Sequence, residues 1–400
     1  IGTLNQYENN EPVETPKMKA EREMQESESE REVQKQKALD AAAALALEYR
    51  YDEAIASLKS SEALAEDERL DEAVAQYEEA KSQLYRYEGD IPHFCFTNLV
   101  VDPARAFDGD DYDSTYRNNM ITLTEFQNIL QTLYENDYIL IDLHDLANET
   151  TDGKNITLTQ NNPEVPKGKK PIVFSIDNLS YGSVRNGDGV ATSLVLDENG
   201  KAAAKYTDDG GHDLIGAYDV IPVLEAFLDE HPDFSYQGAR GVISVAGVGG
   251  IFGYEVDESA DDYEANRQTV QEIAAALKEE GWTFASTGYN YQYLGTLSYD
   301  QLDEELGRWQ EVSGALLGDC DTLLYPYGSE VDYTTEKGTL LTADGFRYLI
   351  GLWAEGDHLE VNDQYLRQTR KNITGMLLTT SPDCVSSYIN VSDILDPARN

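Results

Sequence analysis

The pattern of apolar and polar positions divides this chain at about residue 90. From Met18 to Tyr87 there is neither proline nor glycine, and Ala, Glu, Leu, Gln and Lys dominate. That composition predicts helix. Residues 20–37 are charged nearly all round, as an exposed helical stalk would be, and residues 38–50 are rich in Ala and Leu. From residue 94 onward, short apolar runs alternate with helical spacings. The runs 94–101, 138–141, 171–176, 241–245, 283–287, 322–328, 345–350 and 373–378 read as strands. Between them, 121–136, 221–227, 267–280 and 302–317 carry apolar residues at helical spacing. Thr122 or Thr124 is placed to cap the first of these, and Gly281 to end the third. Residues 148–170 are polar with Gly and Pro and read as a loop. Asn199-Gly200 within 195–201 reads as a hairpin turn. This alternation predicts an α/β fold whose parallel sheet is closed, or nearly closed, into a barrel behind an α-helical hairpin or stalk.

Three regions follow. Residues 1–16 hold almost nothing apolar and read as a flexible tether. Residues 17–90 form the helical region, with Gly89-Asp90-Ile91-Pro92 marking its end, and 91–400 form the barrel. Within the helical region, Tyr51-Asp52-Glu53-Ala54-Ile55-Ala56-Ser57-Leu58 recurs as Leu70-Asp71-Glu72-Ala73-Val74-Ala75-Gln76-Tyr77. An aspartate near the start of each unit suits a helix N-terminus, where free N–H groups and the dipole favour a carboxylate. The pattern resembles a tetratricopeptide-like helix pair, on a shorter spacing than that family's roughly 34 residues. Such a pair either docks a protein partner or packs as a spacer on its own domain.

Composition narrows the function. A net charge of −45 in 400 residues argues against nucleic acid or an anionic membrane surface as partner. It suits solubility in a salty or extracellular medium. No apolar run approaches the roughly 18–20 residues of a membrane span. The chain opens on Ile1-Gly2, so a removed N-terminal anchor is the expected membrane connection. Cys95, Cys320 and Cys384 are widely spaced and read as buried thiols. His93 and His231 read as surface or capping residues, while His144 stays open as a residue near a strand end. His212 stands among Asp208, Asp209 and Asp213, which is either a cation loop or an acidic, solvated turn.

The run Pro171–Ile176 enters from a proline and delivers Asp177 and Asn178 at its carboxyl end, where α/β folds place their chemistry. With Thr287-Gly288-Tyr289-Asn290-Tyr291 and Tyr325-Pro326-Tyr327-Gly328, it resembles the NodB-type polysaccharide deacetylases (carbohydrate esterase family four) over residues 91–400. The resemblance implies a distorted, incomplete (β/α) barrel. It also implies a divalent metal such as zinc, held by an aspartate and two histidines. Asp177 falls where the family's catalytic base stands. Asn178, Thr287 and Tyr291 fall where its metal ligands stand. The Tyr327 backbone N–H falls where the family binds the developing oxyanion. The family's arginine in that third motif is not evident, and no histidine stands in Met376–Thr380, where its general acid would be.

An amide, a hydroxyl and a phenol are poor ligands for zinc, which takes anionic or imidazole donors at about 2.0–2.2 Å. The expectation is therefore a bacterial extracellular or envelope-tethered protein with no metal cofactor. It would bind a cell-wall or dietary glycan, peptidoglycan-like or otherwise, in the former cleft. Tyr181, Tyr289, Tyr291, Tyr293, Tyr327 and Trp353 are its candidate sugar platform, apolar in body and polar at the tip. Two alternatives remain. One is an active deacetylase using Asp177 as base, and the other is a scaffold docking a partner through the helical region.

Overall fold

A computed structural model describes residues 14–400, so the tether expected over 1–16 falls almost wholly outside the described residues. The chain divides into two compact units between Gln83 and Leu84. The first holds α1 (Pro16–Leu47), α2 (Tyr51–Lys59) and α3 (Glu68–Ser82). Thr15 caps α1 by accepting the Met18 N–H at 3.2 Å. Pro16 stands in the first turn, where its missing N–H costs nothing. Residues 16–34 are exposed throughout, as their charge requires. A small core of Ala42, Ala54, Leu58 and Leu64 joins the three helices, with Leu39 and Val74 packed on it. Asp52 and Asp71 of the two sequence repeats lie in the first turns of α2 and α3.

The second unit is built on seven strands: β1 (His93–Phe96), β2 (Lys170–Ile176), β3 (Val242–Val245), β4 (Thr283–Ser286), β5 (Thr322–Leu324), β6 (Tyr348–Leu352) and β7 (Leu366–Asn372). Each pairs in parallel with the next. β7 returns to β1 through Lys371 opposite Phe94 and Asn372 opposite Cys95, which closes the barrel. Closure is uneven, since β4 and β5 share one residue pair, Ser286 opposite Leu323. The expected α/β parallel barrel is therefore present.

Helices α4 (Leu123–Glu135), α5 (Val220–Glu230), α6 (Tyr263–Glu280), α7 (Tyr299–Trp309) and α8 (Glu336–Ala343) pack outside. Thr122 rather than Thr124 starts α4, in a capping box with Glu125. Gly281 ends α6 at φ 107°, where a Cβ would lie 2.7 Å from the Gly238 carbonyl oxygen. The main core runs between strands and helices. There Phe96 meets Phe126 and Phe174 edge-on at 4.9 and 5.2 Å, each buried ring contributing about 1.5–3 kcal/mol. A second core under α7 and α8 joins Leu302, Leu306, Leu323, Tyr325, Leu341 and Leu349.

Three sequence expectations are corrected. Residues 148–170 contain an antiparallel hairpin, Ala147–Asp152 with Asn155–Gln160, turning at Gly153 with φ 63°. Its first strand is polar after Ala147, and only Ile156 and Leu158 of the second carry an apolar alternation, too short to stand out from the polar residues around it. Residues 373–378 are not a strand; Gly375–Thr380 is a helix capped by Thr374. The barrel's last strand is instead Leu366–Asn372, whose Gln368, Thr369, Arg370 and Lys371 are all buried. The run 94–101 breaks after Phe96, and Leu99–Val100 pairs separately with Ile121–Thr122.

Candidate functional site

The barrel interior is polar at its middle. His93 is fully buried, which corrects its reading as a surface or capping residue. Its Nδ1 lies 2.9 Å from Gln368 Oε1 and its Nε2 2.7 Å from Ser175 Oγ. Burial pushes the imidazole down to about 3, so this bridge is neutral. Cys95 lies on the same strand, and burial raises its thiol to about 12, which leaves it unreactive.

At the carboxyl end of β2, the Asp177 N–H donates to the Phe96 carbonyl at 2.8 Å. Asp177 Oδ2 accepts the Tyr291 hydroxyl at 2.6 Å, while the Ser244 hydroxyl stands 3.5 Å from Oδ1. Burial first, then the Asp177 charge, holds the Tyr291 phenol far above its ordinary value. It therefore stays protonated and donates. Asn178 turns at φ 44°, a left-handed value that asparagine tolerates. Its N–H donates to Ser244 Oγ at 2.8 Å, and its Oδ1 accepts the Ala246 N–H at 3.1 Å. Thr287 is fully buried and donates toward the Val245 and Gly288 carbonyls at 3.2 and 2.9 Å. Asp177, Asn178 and Thr287 thus gather around the end of β3, and Tyr291 joins them through Asp177.

The donor set does not fit a divalent ion. One carboxylate is present and a phenol already holds it. The Asn178 oxygen is taken by a backbone N–H, the Thr287 hydroxyl faces carbonyls, and there is no imidazole. Among the described residues, no three His, Cys, Asp or Glu side chains converge as a metal site.

A residue that the sequence reading missed lies beside this group. Arg370 on β7 is fully buried. It donates to the carbonyls of Ile350 (3.2 Å), Gly351 (3.0 Å) and Tyr325 (2.9 Å), and through Nε to Asn372 Oδ1 (3.2 Å). It ties the ends of β5, β6 and β7 together and fixes the carbonyl just before Pro326-Tyr327. The sequence offers no signal for it, because Leu366–Asn372 holds a single apolar residue and reads as a polar stretch.

The aromatic candidates divide. Tyr291 meets Tyr327 edge-on at 5.2 Å, and Tyr327 stacks on Tyr293 at 4.2 Å and 16°. Tyr293, Tyr327 and Trp353 are 54%, 52% and 46% exposed. Tyr181 and Tyr289 are buried and offer no open face. Tyr181 donates to Asp219 at 2.6 Å, and Tyr289 donates to Asp257 at 3.0 Å beneath the Arg308 guanidinium.

The other histidines lie elsewhere. His144 sits between Asp142 and Asp321, the residue preceding β5, and so lies toward the amino end of that strand. His231 is the C-cap of α5, against Tyr134 and Phe227. Asp208 accepts the His212 N–H, while Asp213 faces Thr207 and Lys205, so their carboxylates do not turn toward one point.

No family model matches the chain. No curated protein matches it either. Among solved structures, a Streptococcus pyogenes deacetylase in complex with acetate is 13% identical over 76% of this chain and 100% of that chain, with a TM-score of 0.40. A polysaccharide deacetylase from Bacillus cereus is 13% identical over 76% of this chain and 70% of that chain, with a TM-score of 0.41. The chain is thus distantly similar in structure to polysaccharide deacetylases.

Proposed function

We propose that the carboxyl end of the barrel binds polysaccharide without metal-assisted deacetylation. One observation carries this reading. At the four residues that the resemblance sets as base and ligands, Asp177 Oδ2 is held by the Tyr291 hydroxyl, Asn178 Oδ1 by a backbone N–H, and the Thr287 hydroxyl faces backbone carbonyls. Without a Lewis acid, a carboxylate acting alone as general base gives only about 10² to 10⁴-fold. The exposed Tyr293–Tyr327 stack and Trp353 supply apolar faces with polar edges, which suit a sugar ring. The charge of −45 suits an extracellular or envelope-tethered setting. Docking of a protein partner by residues 17–90 is a separate proposal, checked by a pull-down with and without them.

Acetylated chito-oligosaccharides with added zinc test the main reading. Acetate release should stay at background while saccharide binding is measurable. Tyr327→Ala should weaken that binding about tenfold, the scale of one lost aromatic contact. Turnover that disappears in Asp177→Asn would overturn the proposal in favour of an active deacetylase.

A further inference from the structure

The Tyr291 phenol occupies the place on Asp177 that a ligand hydroxyl would take. We propose that Tyr291 is a displaceable gate over a receptor for neutral glycans, a sugar hydroxyl replacing its phenol on Asp177. The inference rests on the carbohydrate reading above.

An ionised carboxylate only accepts hydrogen bonds, so its ligand must bring donors. A sugar hydroxyl is such a donor, and exchanging it for the phenol at 2.6 Å replaces like with like. Moving Tyr291 also releases backbone strain. Its backbone sits at φ 54°, which a bulky side chain adopts only when its surroundings hold it there. The anchors of its segment lie on either side. The Asn290 amide donates to Glu305 at 3.0 Å, Tyr289 donates to Asp257 at 3.0 Å, and Leu294 is fully buried. Between them Gln292 and Tyr293 are exposed. The Tyr291 side chain can therefore swing away while both ends of the segment stay in place. Its ring lies edge-on to Tyr327 at 5.2 Å, which in turn stacks on the exposed Tyr293, so the ligand that displaces the phenol would meet an aromatic surface there.

The two buried cations of β7, Arg370 and Lys371, favour a neutral ligand, and its third, Arg367, is paired with Glu330. Arg370 is spent on three carbonyls and Asn372, and Lys371 on the carbonyls of Ala354 and Gly356 at 2.9 and 2.7 Å. Neither is free to hold a carboxylate or sulfate, and a chain of charge −45 repels both.

Calorimetric titration of the full chain with cellohexaose, chitohexaose and hexagalacturonate tests this. Tyr291→Phe keeps the ring and removes the competing hydroxyl. It should bind a neutral hexasaccharide roughly tenfold more tightly than wild type, because one charge-assisted hydrogen bond no longer has to be broken. Asp177→Asn should bind it more weakly, and hexagalacturonate should not bind. In protein labelled with 13Cζ-tyrosine, one resonance absent from Tyr291→Phe should shift on adding the saccharide. Wild-type binding that Tyr291→Phe leaves unchanged or weakens overturns the gate and spares the carbohydrate reading. Equal affinity for hexagalacturonate overturns the neutral preference. If no variant binds any of the three, the carbohydrate reading fails and the gate falls with it.

Discussion

Replacing Arg399 by methionine should destabilise the barrel unit by about 3–5 kcal/mol, the usual result of stranding one member of a buried ion pair. Arg399 Nε donates to Glu125 Oε2 at 2.7 Å and its Nη2 to Oε1 at 2.8 Å. Its remaining N–H groups reach the carbonyls of Arg117 and Met120 at 2.9 and 2.8 Å. Glu125 is fully buried and has two further tasks. Its Oε1 accepts the Thr122 N–H at 2.8 Å to start α4, and its Oε2 accepts the Asp396 N–H at 3.0 Å. One carboxylate therefore caps a helix and ties residues 396–399 to it. Without the guanidinium, that charge stays in place with only backbone N–H groups around it. Urea unfolding followed by tryptophan fluorescence reads the effect, since Trp282 and Trp309 lie in the main core of this unit. Adding Glu125→Gln to Arg399→Met should recover part of the loss, because the stranded charge is gone. A loss under about 1 kcal/mol for Arg399→Met alone would mean that the pair is not holding residues 396–399 down.

What the sequence disclosed follows from where burial and apolarity coincide. β2 was legible because all of Pro171–Ile176 is buried and most of it is apolar. The start of α4 was legible because Thr122 and Glu125 stand three apart before an apolar stripe. β7 was not, because a barrel interior that needs hydrogen-bonding groups to satisfy His93 and the strand ends recruits Gln368 and Arg370. A buried strand then reads as a charged loop. The hairpin at 147–160 failed for the opposite reason: most of its residues are exposed, so burial left only Ile156 and Leu158 as an apolar period, with Gly153 after Asp152 as the turn signal. At the site, the strand pattern put Asp177 and Asn178 at a carboxyl end, and the resemblance to the deacetylases, not any spacing, brought Thr287 and Tyr291 to the same place. The sequence could not say that Tyr291 turns back on Asp177, since that depends on a positive φ that no residue pattern forces. Nor could it separate Tyr289, turned into the core, from Tyr293, turned out of it. They are four residues apart on an irregular segment with no period to read.

Raising the pH from 7 to 9.5 should cost the barrel unit about 2–3 kcal/mol through His144 alone. Burial by itself would lower this imidazole. The carboxylates of Asp142 and Asp321, at 2.9 Å from Nδ1 and Nε2, outweigh it and raise the group to about 10. The folded value then lies above the unfolded value of about 6.5. The stabilisation is fully present below about pH 6.5, falls as the unfolded chain alone loses its proton, and is gone once the pH passes the folded value. The slope between is at most about 1.4 kcal/mol per pH unit, and partial exposure of the pair reduces it. Other shifted groups act in or beside this window. Burial raises the Cys95 and Cys320 thiols to about 12, so above the ordinary thiol value of about 8.5 only the unfolded chain ionises them and stability falls further. Burial raises Glu280 to about 7, at the lower edge of the window. Burial and the Asp142 charge raise the neighbouring Asp145 to about 6, so it titrates below pH 7. The raised tyrosines, Tyr348 among them, act only above the ordinary tyrosine value near 10. His144→Gln keeps a polar side chain of similar length but cannot hold a charge. Its urea midpoint should lie below wild type at pH 7 and fall less steeply up to pH 9.5, since the buried thiols still titrate but His144 does not, so that the gap between the two narrows. A wild-type midpoint that falls no more steeply than that of the variant would mean that the ion pairs of His144 with Asp142 and Asp321 contribute nothing to holding the amino end of β5.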